Sequence, residues 1–193
     1  MTLYPTDRVA LFIDGANLYA SVKALNADLD FRKMVESFRA RALLTRAYYY
    51  TAMVEGEEFS PIRPLIDFLD YNGFHVVTKP VKRFTDGQGQ TRTKGNMDIE
   101  IAVDMLELAP HIDHAVLFSG DGDFRRAVEA VQARGVRVSV VSTLKVQPPH
   151  IADDLRRQAD DFIELAELVA EFGRPRAPTA PPSVRSGPPE SGS

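Results

Sequence analysis

Short apolar runs of strand length alternate along this chain with segments whose apolar residues recur at helical spacing. The strand-like runs are Val9–Ile13, Leu43–Thr51, Phe74–Thr78, Ala115–Phe118 and Val136–Val141. Between them lie helix-like segments: Asn17–Leu25 with Phe31–Arg39, Pro61–Asn72, Met97–Leu108 and Phe124–Arg134. A short helical turn near Ala152–Arg157 and a last helix over Asp160–Phe172 complete the pattern. Such alternation predicts an α/β domain: a mainly parallel central sheet of about five strands, covered on both faces by helices. Gly73 and Gly135 follow helices directly, where a left-handed cap favours glycine. The domain is expected over residues 1–173. Residues 174–193 are rich in Pro, Ser and Gly, carry almost no large apolar side chain, and read as a disordered tail.

Composition narrows the function classes. The 193 residues contain no cysteine, which removes disulfides and thiolate metal sites and is compatible with a reducing cytosol. No apolar run is long enough for a membrane span, and the first residues lack the form of a signal peptide, so a cytoplasmic protein without membrane partners is expected. The net charge of −4 gives no global signature of nucleic-acid binding, although a local patch can supply one. The oligomeric state stays open, a homodimer included.

Four aspartates from three segments converge on one edge of the expected sheet. Asp14 ends the first strand and enters the turn Asp14-Gly15-Ala16-Asn17. Asp121 and Asp123 lie in Ser119-Gly120-Asp121-Gly122-Asp123-Phe124, between the strand Ala115–Phe118 and the next helix. Ligands bind at this carboxyl edge in open α/β sheets. Either Asp14 or Asn17 suffices to cap the first helix, which leaves the other to be explained. Asp98 is read from a helical wheel: at 100° per residue it falls inside the arc of Ile99, Ile101, Ala102, Val103, Met105 and Leu106. Glu100, Asp104 and Glu107 cluster on the opposite, solvated side. An inward carboxylate is costly unless it is paired, protonated or bound to a cation. Carboxylates clustered without His or Cys suit a hard cation, Mg²⁺ or Mn²⁺. Asp121 and Asp14 are the first expected ligands and Asp98 the next, with Asp123 either a ligand through water or a helix cap.

A basic segment, Lys79 to Asn96, leads into the helix bearing Asp98. Lys79, Lys82, Arg83, Arg92 and Lys94 are positioned to neutralise nucleic-acid phosphates, and Phe84 to stack on a base. Gly87 and Gly89 imply a mobile loop. Tyr48, Tyr49 and Tyr50 read as core and sheet-face residues. His111 and His114 read as surface residues near Pro110, and His75 and His150 stand alone. Other chemistries lack their signatures. There is no Gly-x-x-x-x-Gly-Lys-Ser/Thr loop, Gly120-Asp121-Gly122 lacks the third glycine of a dinucleotide turn, and Ser119 lacks a nucleophile elbow.

Three ordered blocks, Phe12-Ile13-Asp14-Gly15-Ala16-Asn17-Leu18, Lys94-Gly95-Asn96-Met97-Asp98 and Ser119-Gly120-Asp121-Gly122-Asp123-Phe124, resemble the signature blocks of NYN domains, in the bacterial LabA-like (DUF88) branch. The resemblance covers roughly Arg8 to Val141, and Ala159–Phe162 resembles the closing helix of the family. It implies a three-layer PIN-like fold and a Mg²⁺- or Mn²⁺-dependent nuclease acting on single-stranded or structured RNA. Asp14, Asp98, Asp121 and Asp123 match its acidic site, and Asn17 and Ser119 its supporting polar positions. Two residues, Asn96 and Met97, separate Lys94-Gly95 from Asp98, where the family often has one; Ala152 stands where some relatives carry serine. The alternative expectation is a non-catalytic RNA-binding or regulatory protein that keeps the metal site. A phosphatase of the haloacid-dehalogenase type ranks below both, because Ala16 occupies the place of its second aspartate.

Overall fold

A computed structural model describes residues 2–54, 61–81, 83–85, 91–93 and 96–174, with backbone alone for 83–85, 91–93 and 174. The order is β1 (Arg8–Asp14), α1 (Gly15–Ala24), β2 (Asp28–Leu29), α2 (Phe31–Arg41), β3 (Leu43–Val54), α3 (Arg63–Tyr71), β4 (His75–Val81), β5 (Arg83–Thr85) and β6 (Thr91–Thr93). Then follow α4 (Asp98–Leu108), β7 (His114–Phe118), α5 (Arg125–Gln132), β8 (Arg137–Ser142), α6 (Asp153–Gln158), β9 (Asp161–Glu164), α7 (Leu165–Phe172) and β10 (Gly173–Arg174). Six strands form one parallel sheet in the order β4-β3-β1-β7-β8-β9.

Alternation along the strands builds two cores. Val9, Leu11 and Ile13 of β1 pack with Leu18, Met34, Phe38, Leu168 and Phe172 on one face. Ala10 and Phe12 pack with Ile101, Met105, Val128, Val131 and Leu155 on the other. The period of two in β1 thus divides α1, α2 and α7 from α4, α5 and α6. Gly73 and Gly135 adopt φ of +83° and +84°, as caps of α3 and α5 require.

The last expected helix is corrected at its start. Asp161–Glu164 is not helical; it is β9, a sixth strand pairing parallel with β8. The residues that resemble a closing helix therefore begin a strand. Phe162 joins one core and Ile163 the other, which suits a strand serving both faces. Asp160 anchors the entry, its carboxylate accepting from Val138 N at 2.7 Å. Glu164 then caps α7, accepting from Ala166 N at 3.3 Å. The expected loop before α4 is also corrected: Arg83–Thr85 and Thr91–Thr93 pair as antiparallel strands. Lys82, Asp86, Gly87, Gly89, Lys94 and the tail beyond Arg174 lie outside the described residues.

His114 is no surface residue; it is wholly buried at the opposite end of the sheet from the aspartates. Its Nδ1 accepts from the Arg137 guanidinium at 3.0 Å, and its Nε2 meets Ser139 Oγ at 2.7 Å. Arg137 is in turn paired with Asp7 at 3.0 Å. Burial first, and then the Arg137 charge, push the imidazole down to about 4. On acidification the unfolded chain takes up this proton before the folded one. Stability from neutral His114 is therefore full above about pH 6.5 and lost as pH falls towards 4, a contribution of up to ~3 kcal/mol. We expect the urea midpoint to drop across that window, with a shallower drop in His114→Gln; equal slopes would contradict this role.

Candidate metal centre

The sheet order reverses at β1 and β7, since chain connections leave β1 towards β3 on one side and reach β7 on the other. The crevice at such a reversal is where open α/β sheets bind ligands. Asp14 closes β1, and Ser119 follows β7 directly. Gly15 allows the tight entry to α1: a Cβ there would lie 2.6 Å from Tyr49 Cζ and 2.7 Å from Tyr50 O.

Asp14 and Asn17 divide the work that the sequence left open between them. Asp14 Oδ1 caps α1, accepting from Asn17 N at 3.1 Å, while Oδ2 accepts from Ser119 Oγ at 3.2 Å. Asn17 Oδ1 accepts from Gly120 N at 3.2 Å, tying α1 to the turn after β7. Ser119, wholly buried, also accepts from Asp121 N at 3.3 Å. Burial raises the Asp14 pKa, opposed by the Asn17 and Ser119 hydrogen bonds, with a smaller upward push from Asp121.

Asp98, the first residue of α4, is half-buried and bonded by Asn96 Nδ2. Burial, followed by the charges of Asp121, Asp14 and Asp123, pushes its carboxyl up to about 6. Carboxylate oxygens of Asp98, Asp121 and Asp123 lie within 4.8 Å of one another. Among the described residues no Lys or Arg pairs with them or with Asp14. Asp121, not Asp123, does the capping: its Oδ1 accepts from Asp123 N at 3.0 Å in the 3-10 turn Gly122–Phe124. The cleft that Asp98 and Asp121 share with Asp14, Asn17, Tyr50 and Thr51 measures about 230 Å³.

Two of the other acids of α4, Glu100 and Asp104, depart from the wheel, while Glu107 is exposed as it predicts. Asp104 accepts from the Tyr50 hydroxyl at 2.9 Å, and Glu100 pairs with Lys79 at 2.8 Å. Both are half-buried, while Ile99 and Val103 are exposed. The wheel gives angles between side chains but not the direction of the packing partner. The core contact of α4 centres on Ile101 and Met105, which leaves Ile99 and Val103 beyond its rim. Of the expected phosphate-binding residues, Lys79 is engaged by Glu100; only backbone is described for Arg83, Phe84 and Arg92. Tyr49 and Tyr50 are buried, as expected of core residues. His150, which stood alone in the sequence, bonds Ser21 through Nδ1 at 2.9 Å; no spacing between these residues signals the pair.

An all-oxygen cluster of like charges, without a basic partner among the described residues, fits a hard divalent cation. It also predicts a stability cost in the cation-free protein. Asp98→Asn removes one of the mutually repelling charges and is expected to raise the metal-free Tm by about 2–4 °C, for relief on the order of 1 kcal/mol. The same variant should lose the Tm increase that Mn²⁺ gives the wild type. A lowered metal-free Tm would show that Asp98 is held by contacts that outweigh the repulsion.

This fold, with acids at its switch point, defines a nuclease-like α/β domain. The NYN domain profile matches residues 8–166, and the chain belongs to the NYN domain family, part of a nuclease superfamily whose members generally use divalent metals. It is 36% identical over 165 residues to the low amplitude and bright protein LabA of Synechococcus elongatus, covering 83% of this chain and 85% of that one. It is 37% identical over 92 residues to the uncharacterized protein y4oD of Sinorhizobium fredii, covering 46% of this chain and 40% of the other. In structure it is similar to VPA0982 of Vibrio parahaemolyticus, a protein of unknown function, with TM-score 0.71 and 26% identity over 90% of this chain and all of that one. No helix among the described residues is long and apolar enough to cross a membrane.

Proposed function

We propose that this protein is a Mg²⁺- or Mn²⁺-dependent ribonuclease, hydrolysing phosphodiester bonds to leave a 5′-phosphate and a 3′-hydroxyl. The observation that carries the reading is the Asp98–Asp121–Asp123 cluster within 4.8 Å, beside Asp14 at the switch point. Asp98, Asp121 and Asp123 would hold the cation, with Asp14 completing the acidic wall. When bound, the cation supplies polarisation of a phosphoryl oxygen and a water of lowered pKa.

The chain's own groups then act by placement. Ser119 joins Asp14 to the Asp121 backbone, so these two acids move as one unit. Asn17 holds the Gly120 amide and keeps the acidic turn against α1. Asn96 fixes one oxygen of Asp98, leaving the other for the cleft. Asp14, Asp98, Asp121 and Asp123 are catalytic in this reading, with Asn17 and Ser119 supporting them. Lys82, Arg83, Phe84, Arg92 and Lys94 would meet RNA on the approach to α4, and Lys79 would join them once released from Glu100.

The test is a panel of single-stranded, structured and transfer RNAs incubated with Mn²⁺, comparing wild type with Asp121→Asn. Cleavage by the wild type alone supports the proposal. Binding of RNA without turnover at any Mn²⁺ concentration would make this a regulatory RNA-binding protein instead.

A further inference from the structure

A second groove, of about 480 Å³, opens on the other side of the acidic turn. It is lined by Asn17, Ala20, Gly120, Asp121, Gly122 and the segment Pro149–Ala152. Asn17 and Asp121 also line the acidic cleft, so the two depressions adjoin across a shared wall at the candidate cation site. The groove is a built feature. His150 N donates to Thr143 O at 3.0 Å, Ser142 Oγ donates to His150 O at 2.8 Å, and Ala152 N donates to Gly120 O at 2.9 Å. These bonds hold Pro149–Ala152 against the turn that carries Asp121.

Two polar side chains have an atom left over in this groove. Ser21, 1% exposed, engages Nδ1 of the His150 ring and fixes its orientation. Nε2, the opposite polar atom of the ring, has no partner among the described residues. Asn17 spends its oxygen on Gly120 N, which leaves its amide NH₂ likewise unpartnered among them. Beside the Asp121 carboxylate, on which a bound cation would sit, the remaining walls are small or apolar: Ala20, Gly120, Gly122, Pro149, Ile151 and Ala152. Side-chain N–H donors on a path of mostly small and apolar walls suit the sugar–phosphate backbone of a single strand, where positioning contacts go to phosphate oxygens.

The geometry points to this groove as the path of the RNA strand beyond the scissile phosphate, with His150 Nε2 and the Asn17 amide donating to the next phosphate. Ser21 is a positioning residue that sets the imidazole. The inference rests on the ribonuclease reading for its substrate, and adds a strand path and a binding residue outside the acidic site.

Three substitutions at one position test it. Gln places its amide nitrogen where Nε2 lies, whereas Asn replaces Nδ1 and keeps the Ser21 contact. A hydrogen bond to a charged group corresponds to at least about a tenfold change in affinity. His150→Ala and His150→Asn are therefore expected to raise KM for a single-stranded RNA oligonucleotide about tenfold with kcat unchanged; Asn, which keeps the Ser21 contact, should also keep the wild-type Tm, whereas Ala leaves the buried Ser21 hydroxyl without its partner and should lower it. They should weaken binding of the same labelled oligonucleotide in EDTA, measured by fluorescence anisotropy, to a similar degree. His150→Gln should stay near wild type in both. Wild-type behaviour of all three variants overturns the inference. So does rescue by Asn but not Gln, which would reduce His150 to a structural partner of Ser21. If the wild type binds RNA through His150 yet never cleaves it, the strand path stands and the ribonuclease reading fails. If it cleaves RNA with no dependence on His150, the reverse holds. If it neither binds nor cleaves, both fail.

Discussion

Asp121→Asn and Asp14→Asn are each expected to lower RNA hydrolysis in Mn²⁺ by at least about a hundredfold, the scale on which loss of one preorganised electrostatic group acts. EDTA should abolish the wild-type activity, and excess Mn²⁺ should restore it. The two variants fail for different reasons. Asp121 lies within the three-carboxylate cluster, so its loss weakens cation binding directly. Asp14 is anchored by Asn17 N and Ser119 Oγ, and its amide replacement also alters that shared hydrogen bonding. Ser119→Ala removes the link while leaving every carboxylate, and a loss of about 10–100-fold is expected, as for other groups that orient metal ligands. Initial rates on one RNA across the series decide the matter. Full activity of either aspartate variant, or activity untouched by EDTA, would contradict the proposed chemistry.

Gly120→Ala is expected to be the most damaging glycine-to-alanine change among the described residues. A Cβ at this position would lie 1.6 Å from His150 O and 2.6 Å from Ser142 Oγ. The first obstacle is backbone, held by the Ser142 and Thr143 hydrogen bonds, so it does not rotate away. Relief requires the turn and the Pro149–Ala152 segment to separate, which breaks the Ala152 N bond to Gly120 O. Overpacking against backbone costs about 3 kcal/mol or more. Activity should fall with stability, because the Asp121 carboxylate moves with the turn. Gly135→Ala is the control. Its φ of +84° carries left-handed strain, but a Cβ there meets nothing within 4 Å, so a loss of about 1–2 kcal/mol is expected. Urea unfolding of the two variants separates steric blockage from backbone strain. A Gly120→Ala protein as stable as wild type would mean that the close approach is not maintained in solution.

Most of the site was legible because its carboxylates sit where local patterns are strongest. Asp14 follows the apolar run Val9–Ile13, Asp121 comes shortly after the run Ala115–Phe118, and Asp98 falls on the inward side of a helix; each statement needs only nearby residues. What stayed hidden depends on partners distant in sequence. The helical wheel placed Glu100 and Asp104 with Glu107 on a solvated face, yet Lys79 of β4 and Tyr50 of β3 half-bury the first two. His114 gave no sign of burial, because its partners Ser139 and Arg137 come from the neighbouring strand. β9 was read as helix, since four residues, Asp-Phe-Ile-Glu, carry too little periodicity to separate a strand from a first helical turn. The Ser21–His150 contact spans 129 residues, and neither residue belongs to a recognisable motif.

In the proposed chemistry Asp98, Asp121 and Asp123 form one divalent-cation site. Anomalous diffraction at the manganese edge, from crystals soaked in MnCl₂, tests it most directly. The expected result is a peak in bonding contact with carboxylate oxygens of Asp98, Asp121 and Asp123, absent in Asp121→Asn crystals treated in the same way. A fully soaked wild-type crystal with no peak at this cluster, or with manganese bound elsewhere alone, would contradict the account.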